Sequence, residues 1–211
     1  MFLSVITNEI KRAIDLLSEF KFMQPFYLAG GTGCALHIGH RISEDLDFFS
    51  QTEFSQFRIQ NTLKSHGKFI VDYSDSRTIT GRFEQTKISF FHYPYNLLEE
   101  TSGFLNLRIS SLKDIGCMKI DAISSRGSRR DFVDLYYILK SSGMGLKDFL
   151  VIFQKKYGRE NINLVHITKS LVYFEDADED PELKMLDRYS WQEVKVFFHD
   201  QIKDLKDLSF M

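Results

Sequence analysis

Apolar residues recur along the first half of the chain in short runs and helical spacings that predict alternating helices and strands. A helical spacing predicts a first amphipathic helix over residues 5–22, ended by Pro25. Further helices are predicted at about 32–40, with Thr32 as its cap, and at 54–65, where Phe57 joins the apolar positions. Runs rich in β-branched and aromatic residues predict strands at 26–28, 46–49, 69–73, 78–83, 87–93 and 104–109.

The second half of the chain has a helical pattern throughout. Apolar spacing predicts helices at about 111–124, 129–141, 146–156, 161–174 and 190–207. An acidic stretch from Glu175 to Pro181 is predicted to be a loop between the last two. We therefore expect an α/β (α+β) fold. A small mixed β-sheet lobe with flanking helices would occupy residues 1–110, and a helical lobe over 111–211 would pack on it as one compact unit.

The composition is that of an ordinary folded protein, because 43% of the 211 residues are hydrophobic and 27% are charged. The formal net charge of −2 gives no overall attraction to nucleic acid, so any RNA contact needs a local basic patch. No apolar run approaches the ~18 residues of a membrane span. Cys34 and Cys117 lack a C-x-x-C spacing and are expected to be buried free thiols in the cytoplasm.

Two carboxylates with strand spacing form the first candidate site. On a strand, residues i and i+2 point to the same face, so Asp45 and Asp47 leave the sheet together while Leu46 points the other way. Two such carboxylates can bind one hard cation, and Mg²⁺ (or Mn²⁺) fits because it fills its remaining positions with water and phosphate oxygens. We therefore predict that Asp45 and Asp47 are metal ligands.

The predicted strand-to-helix junction at Gly30, Gly31 and Thr32 lies shortly upstream of this pair. Glycine lets the backbone approach a phosphate closely, and a helix N-terminus offers free N–H groups, so this turn is a candidate phosphate cradle. Arg41 between the two elements either approaches a phosphate bound at this turn or forms a structural ion pair. Each short motif alone is weak. The D-x-D pairs among Asp176, Asp178 and Asp180, for example, are interpreted as solvated charge.

A second cluster of charges follows residue 114. The helix around Lys119 is apolar on nearly every side and should be buried, so Lys119 and Asp121 must be paired or face a cleft. Ser128 and Asp131 have the spacing of a capping box, and Asp131 and Asp134 share one helix face. Lys119 is either a structural partner of Asp134 or a functional cation, and Asp131 is either a cap or a functional carboxylate.

Both segments resemble one protein family. The run from Gly30 to Phe49, GGTGCALHIGHRISEDLDFF, closely resembles the first motif of the AbiEii/AbiGii toxin nucleotidyltransferases, which belong to the polymerase-β-like superfamily. The resemblance implies that the glycine turn holds the triphosphate and that the aspartates carry the metals. The segment from Lys119 through the R-D-x-x-D-L-Y helix is similar to the family's later motif. It implies roles in nucleotide binding and activity for Lys119 and for Asp134, with Asp131 as the second choice.

The resemblance also implies a function. A metal-dependent enzyme of this family would transfer NMP from an NTP to an acceptor hydroxyl, with tRNA or another RNA as acceptor, and it would have a cognate antitoxin protein. The best local basic patch for RNA is formed by Arg126, Arg129 and Arg130. Many nucleotidyltransferases have a third carboxylate on a later strand, but residues 87–91 contain none and Glu84 lies before them. Two alternatives therefore remain, namely an inactive nucleotide-binding or interaction module and a protein-NMP transferase.

Overall fold

The computed structural model describes residues 1–206 and divides the chain into two compact units, residues 1–111 and a second unit that begins at Leu112. The α/β class with a mixed sheet, expected from the sequence, is confirmed. Both cysteines are buried free thiols, as predicted. Among the helices of residues 1–206, none has the length and apolar character needed to cross a bilayer.

The first unit is built on one seven-stranded sheet with the order β3-β4-β5-β2-β1-β7-β6. The strands are β1 (Phe26–Leu28), β2 (Asp45–Ser50), β3 (Phe69–Ser74), β4 (Thr78–Phe83), β5 (Thr86–His92), β6 (Ser102–Phe104) and β7 (Leu107–Ile109). The pairs β2–β5 and β1–β7 are parallel, and the remaining neighbours are antiparallel. The central strand β2 is thus held on both sides, which fixes the direction of its side chains.

The core of the first unit lies on one face of this sheet. Helices α1 (Asn8–Leu17) and α3 (Gln56–His66) bury their apolar stripes there, and α2 (Gly30–Ile38) joins β1 to β2. Alternate residues of β2, Leu46 and Phe48, are fully buried in this core. The intervening residues of β2 therefore point to the opposite face of the sheet.

Most of the predicted elements of this unit exist, with shorter or divided bounds. The first helix covers only α1, flanked by 3-10 turns at Leu3–Val5 and Lys21–Met23, because the Thr7 hydroxyl caps it by accepting from Ile10 N–H. Phe57, placed on the apolar side by its spacing, is 73% exposed. The predicted strand at 104–109 is the hairpin β6–β7, whose turn places Leu105 and Asn106 at positive φ.

The second unit is helical. Its helices are α4 (Leu112–Arg126), α5 (Arg129–Ser142), α6 (Leu146–Tyr157), α7 (Leu164–Ser170), α8 (Glu175–Glu179) and α9 (Trp191–Lys206). The predicted helix at 161–174 is therefore shorter, with a 3-10 turn at Arg159–Asn161 before it. Residues 207–211 lie outside the described part, so the predicted end of the last helix at 207 is not described. Asp121 on α4 is exposed, so the expectation that α4 is buried on every side was wrong.

The acidic stretch was predicted to be a loop, but it contains the short helix α8. Arg129 explains its order, because the guanidinium donates to the Ala177 and Asp178 carbonyls, each at 2.9 Å, where α8 ends. Nη1 of Arg129 pairs with the Glu182 carboxylate at 2.6 Å. A buried arginine thus donates to two carbonyl groups at a helix end, one of which, Ala177, also accepts the Asp180 N–H at 3.4 Å.

Candidate functional site

Asp45 and Asp47 lie on the same face of the sheet, opposite the core. Their side chains are half-buried, whereas those of Leu46 and Phe48 between and after them are fully buried, as strand alternation requires. The Asp47 carbonyl accepts the Ala29 N–H at 3.1 Å, so β2 is tied to the residue that precedes α2. The acid pair and the glycine turn are therefore neighbours.

Gly30 is in contact with the second acid of the pair. Its φ of +60° is in the left-handed region, and a Cβ built on it would stand 2.9 Å from Asp47 Oδ2. Any other residue would have to adopt a strained backbone and displace the carboxylate. Glycine at position 30 is thus needed to seat Asp47 against the turn.

Gly31 makes room for the Arg41 side chain in the same way. A Cβ on Gly31 would collide with the Arg41 guanidinium, which is only 5% exposed as a residue and donates from Nη1 to the Ile42 carbonyl at 3.0 Å. The sequence left open whether Arg41 approaches the phosphates or is structural. The structure places its positive charge directly on the glycine turn, where an anion would be bound.

The first N–H groups of α2 are available at this turn. The first ladder bond of the helix runs from Gly33 N–H to the Ala29 carbonyl at 3.0 Å, so the N–H groups of Gly30, Gly31 and Thr32 precede the ladder. Such groups bind anions through hydrogen bonds and the helix dipole. The backbone thus fits the predicted phosphate cradle.

Thr32 has a different role from the predicted cap. Ala29 occupies the N-cap position, and Thr32 lies inside the helix with its hydroxyl buried. That hydroxyl donates to the Asp45 carbonyl and lies 2.8 Å from Ser43 Oγ. The prediction that Thr32 caps the helix was wrong, because the hydroxyl instead ties α2 to the start of β2. Only the Thr32 backbone N–H remains a candidate for phosphate binding.

The donor set of this site fits a hard divalent cation. Asp45 and Asp47 offer carboxylate oxygens from one strand face, and oxygen ligands are what Mg²⁺ and Mn²⁺ prefer. The in-register neighbours of this pair on β5 are Lys87 and Ser89, so no acid stands beside it there. Glu84 does not fill the gap, because its carboxylate accepts the N–H of Lys68 at 2.7 Å, before β3 and three strands from β2.

In the second unit, Lys119 is paired with both predicted aspartates. Its Nζ lies 2.8 Å from Asp131 Oδ1 and 2.6 Å from Asp134 Oδ2, and all three side chains are buried. These short distances confirm that the helices α4 and α5 bring the three residues together. The structural alternative left open by the sequence is therefore realised, and the activity of Lys119, Asp131 and Asp134 stays a prediction.

Asp131 has further hydrogen-bond partners in this cluster. Besides Lys119, it accepts from Arg126 Nε at 2.8 Å and from the Ser128 hydroxyl at 2.8 Å. Burial pushes the pKa of Asp131 upward, but Lys119 and Arg126 outweigh burial and hold the pKa below its ordinary range. The predicted capping box is absent, because Ser128 uses its hydroxyl on the Asp131 carboxylate rather than to cap the helix.

The predicted RNA patch was wrong in one of its three arginines. Arg129 is buried and its guanidinium is bound to the end of α8 and lies 5.3 Å from the Trp191 ring, so it cannot present charge to a polyanion.

Asp178 and Asp180 of the acidic stretch form hydrogen bonds with neighbouring residues. Asp178 accepts from Lys195 at 3.0 Å and Asp180 accepts Arg129 N–H at 2.7 Å. They stabilise the helices and show no metal-binding arrangement.

The sequence analysis also missed a second buried ion pair. Lys156 Nζ lies 2.7 Å from Asp114 Oδ1, and both side chains are fully buried between α4 and α6. A signal was present, because Lys156 follows Phe149 and Phe153 at helical spacing and so lies on the buried stripe of α6. Burial also raises the pKa of the nearby Cys117 thiol to about 12, which keeps it neutral.

Comparison with known proteins identifies relatives over nearly the whole chain. Residues 12–96 and 81–205 match the family described as "Nucleotidyl transferase AbiEii toxin, Type IV TA system". The uncharacterized protein aq_aa25 of Aquifex aeolicus (strain VF5) is 37% identical over 203 residues, which cover 94% of this chain and 97% of that protein.

Two solved structures share the fold at low sequence identity. One is MenT4, the nucleotidyltransferase toxin Rv2826c from Mycobacterium tuberculosis H37Rv, with a TM-score of 0.60, 14% identity and coverage of 96% of this chain and 84% of that chain. The other is JHP933 from Helicobacter pylori, with a TM-score of 0.51, 17% identity and coverage of 94% and 91%. At these identities the structural likeness establishes the fold.

Proposed function

Because the chain belongs to the AbiEii nucleotidyltransferase toxin family, we propose that it transfers NMP from an NTP to an acceptor hydroxyl of RNA, tRNA included. In this reaction the acceptor oxygen forms a bond to the α-phosphorus, and the bond to pyrophosphate breaks. A cognate antitoxin protein would restrain the activity. The contact between Asp47 and Gly30, with Arg41 seated on Gly31, supports this proposal most strongly.

The glycine turn and Arg41 would bind the NTP phosphates. The N–H groups of Gly30, Gly31 and Thr32 would donate hydrogen bonds to the phosphate oxygens, and Arg41 would offset the phosphate charge. Asp45 and Asp47 would hold a divalent cation, Mg²⁺ or Mn²⁺, which would neutralise charge on the phosphates when bound. Positioning and charge neutralisation are the main needs of phosphoryl transfer, and in this proposal the glycine turn, Arg41 and the acid pair would supply both.

Lys119, Asp131 and Asp134 would contribute to activity by providing a positive charge at a fixed position. Two buried carboxylates hold the Lys119 ammonium in one place, which supports a positioning role for both acids. Such a fixed cation is pre-organised to meet negative charge without rearrangement. Lys119 and Asp134 remain our predicted contributors to activity, with Asp131 as a positioning residue.

Transfer can be tested with the purified protein, Mg²⁺, each α-labelled NTP in turn, and total RNA or total protein as acceptor. We expect label in RNA from the wild type and none from the Asp45→Asn/Asp47→Asn variant, which keeps the shape but removes the anionic ligands. Asp15→Asn/Asp187→Asn is the matched control, because both aspartates are exposed and far along the chain from the pair. Label in protein would instead identify a protein-NMP transferase.

A second candidate function follows from the neighbours of the acid pair on β5. Because Lys87 and Ser89, rather than an acid, stand in register with Asp45 and Asp47, the chain would act as a nucleotide-binding module without turnover. Binding of NTP without transfer of label to any acceptor would support this candidate. Growth of cells that express the protein separates the two further. A toxin slows growth and the Asp45→Asn/Asp47→Asn variant does not.

A further inference from the structure

The sheet face that carries the acid pair continues outward over β5, β4 and β3. Register places Lys87 beside Asp45, Arg82 beside Lys87, and Ile70 beside Arg82. Side chains of paired residues point to the same face, so these four form one row across four strands. Three strand spacings of ~4.8 Å give the row a length of about 14 Å from β2 to the edge strand β3.

A second row runs parallel to the first. Ser89 is beside Asp47, Thr80 is beside Ser89, and Tyr73 is beside Thr80. Tyr73 at the edge is 55% exposed, and its hydroxyl donates to Asp75 Oδ2 at 2.8 Å, which holds the ring in place. Ile70, its neighbour at the edge, is 49% exposed. The outer end of the face is therefore apolar and aromatic, and open to solvent.

The cations of the first row are available to a ligand. Lys87 is exposed, and within residues 1–206 its side chain makes no hydrogen bond or ion pair. Arg82 is also exposed and makes one long hydrogen bond, from Nη1 to the Gln85 carbonyl at 3.4 Å. The nearby acid Glu84 is directed to the Lys68 N–H, at 2.7 Å, rather than to either cation. Two exposed positive charges thus lead away from the acid pair.

We propose that this face, which we call the acceptor track (Lys87, Arg82, Ile70 and Tyr73), binds the single-stranded end of a nucleic-acid acceptor. Lys87 and Arg82 would contact backbone phosphates, and a base would stack on the Tyr73 ring beside Ile70. Cations that follow the backbone and an exposed aromatic ring on an open sheet face are the physical requirements of single-strand binding. The inference rests on the proposed function, because it gives the acceptor a path toward Asp45 and Asp47.

Binding without catalysis tests the acceptor track. The probe is a fluorescein-labelled single-stranded RNA of about 12 nucleotides, a length typical of such sites, in EDTA and without NTP. We expect Lys87→Ala/Arg82→Ala to weaken binding at least about tenfold. The slope of log affinity against log salt should become shallower by about 1.4, the loss of about two phosphate contacts on a single strand.

Arg58→Ala/Lys64→Ala is the matched control for charge. Both residues are exposed on α3, which packs on the opposite face of the sheet, so their removal changes net charge equally but leaves the track intact. We expect wild-type RNA affinity from this variant. Equal weakening by both double variants would overturn the proposal, because non-specific attraction would then account for binding. Thermal unfolding of each variant confirms that the fold is retained.

Tyr73 provides a second test that does not involve charge. Tyr73→Ala removes the stacking ring and should weaken RNA binding about tenfold with an unchanged salt slope. Tyr73→Phe loses only the bond to Asp75 and should keep most of the affinity. Equal affinity of Tyr73→Ala and wild type would overturn the stacking part of the track.

Titration with Mg²⁺–ATP and Mg²⁺–UTP shows whether Lys87 and Arg82 bind the acceptor or the NTP. The Lys87→Ala/Arg82→Ala variant should bind both as the wild type does. Weaker NTP binding with unchanged RNA binding would assign the row to the NTP and overturn the track. Transfer of label to RNA together with unchanged RNA binding by this variant would keep the proposed function and still overturn the track. Absence of label in RNA with the wild-type protein would count against the proposed function alone.

Discussion

The carboxylate of Asp47 lies against the backbone of Gly30, where a Cβ would stand only 2.9 Å from Oδ2. This contact joins the end of β1 and the start of α2 to the face of β2. It places a carboxylate beside the backbone N–H groups of the glycine turn, and we propose that these groups bind the cation and the phosphates of one metal–nucleotide complex. The glycine is therefore required by the neighbouring side chain as well as by any ligand.

Gly30→Ala should be strongly destabilising and should abolish transfer. A non-glycine residue at φ +60° costs about 1–2 kcal/mol, and the collision with Asp47 adds to this cost. We therefore expect the free energy of unfolding in urea to fall by more than about 2 kcal/mol. The displaced Asp47 carboxylate should also remove detectable label transfer.

Gly143→Ala separates the backbone cost of positive φ from the cost of the collision with Asp47. Gly143 has a φ of +66° at the end of α5, but a Cβ there would meet nothing within 4 Å. This variant should lose only the backbone cost of about 1–2 kcal/mol and should keep full transfer activity. Similar losses of stability in both variants would show that Asp47 moves aside easily, against our assignment.

Lys119→Met should be destabilising and should also reduce transfer. The substitution leaves two buried carboxylates, Asp131 and Asp134, without the ammonium that neutralises them. Removal of one partner from a buried ion pair costs about 3–5 kcal/mol. Urea unfolding measures the stability, and label transfer below the unfolding transition measures the activity.

Lys156→Met is the matched control, because Lys156 forms a buried ion pair with Asp114 at 2.7 Å in the same unit. We expect a similar loss of stability with transfer largely retained. If the two variants lose activity in proportion to their stability, Lys119 is a structural residue and its predicted role in activity is wrong.

The low pKa of Asp131 predicts a specific acid dependence of stability. Its pKa is held below that of the unfolded chain, about 3.9, so the ion pair contributes its full stability above that pH. The contribution is lost as the pH falls below about 4 toward the folded-state pKa. The difference in unfolding free energy between wild type and Asp131→Asn should therefore be constant from about pH 5 to 7 and shrink below pH 4. A difference that does not change with pH would contradict the assignment.

Arg129→Ala should loosen α8 rather than weaken RNA binding. The carbonyls of Ala177 and Asp178 would each lose a buried donor, at a total cost of about 1–3 kcal/mol because the Ala177 carbonyl keeps the Asp180 N–H. We expect faster amide hydrogen exchange in residues 175–180 and unchanged affinity for the single-stranded RNA probe. Arg159→Ala, at an exposed arginine of the same unit, should leave both measurements unchanged. Reduced RNA affinity of Arg129→Ala alone would restore the original basic patch.

Strand periodicity was the most reliable guide to the first unit. The bounds of β1, β3, β4 and β5 match the prediction closely, because alternation and β-branched content are local properties. The hairpin β6–β7 was interpreted as one strand, because Asn106 alone indicates a turn, through its tolerance of positive φ, whereas Leu105 gives no such signal. The acidic helix α8 was missed because its order comes from Arg129, which lies far away in the sequence.

Sequence alone determined that Asp45 and Asp47 share a face, that a glycine turn precedes them, and that Lys119 must be paired or face a cleft. These conclusions follow from strand periodicity, from the backbone freedom of glycine and from the cost of a buried charge. Each of these properties depends on the residue itself or on its immediate neighbours in the sequence.

Only the tertiary structure decided what the neighbours are. Register between β2 and β5 placed Lys87 and Ser89 beside the acid pair. Packing of the helices paired Lys119 with both Asp131 and Asp134 and bound Arg129 to the end of α8. Such pairings depend on which distant segments meet, and a one-residue shift of register would reverse every face. For that reason the acceptor track was absent from the sequence pattern and present in the fold.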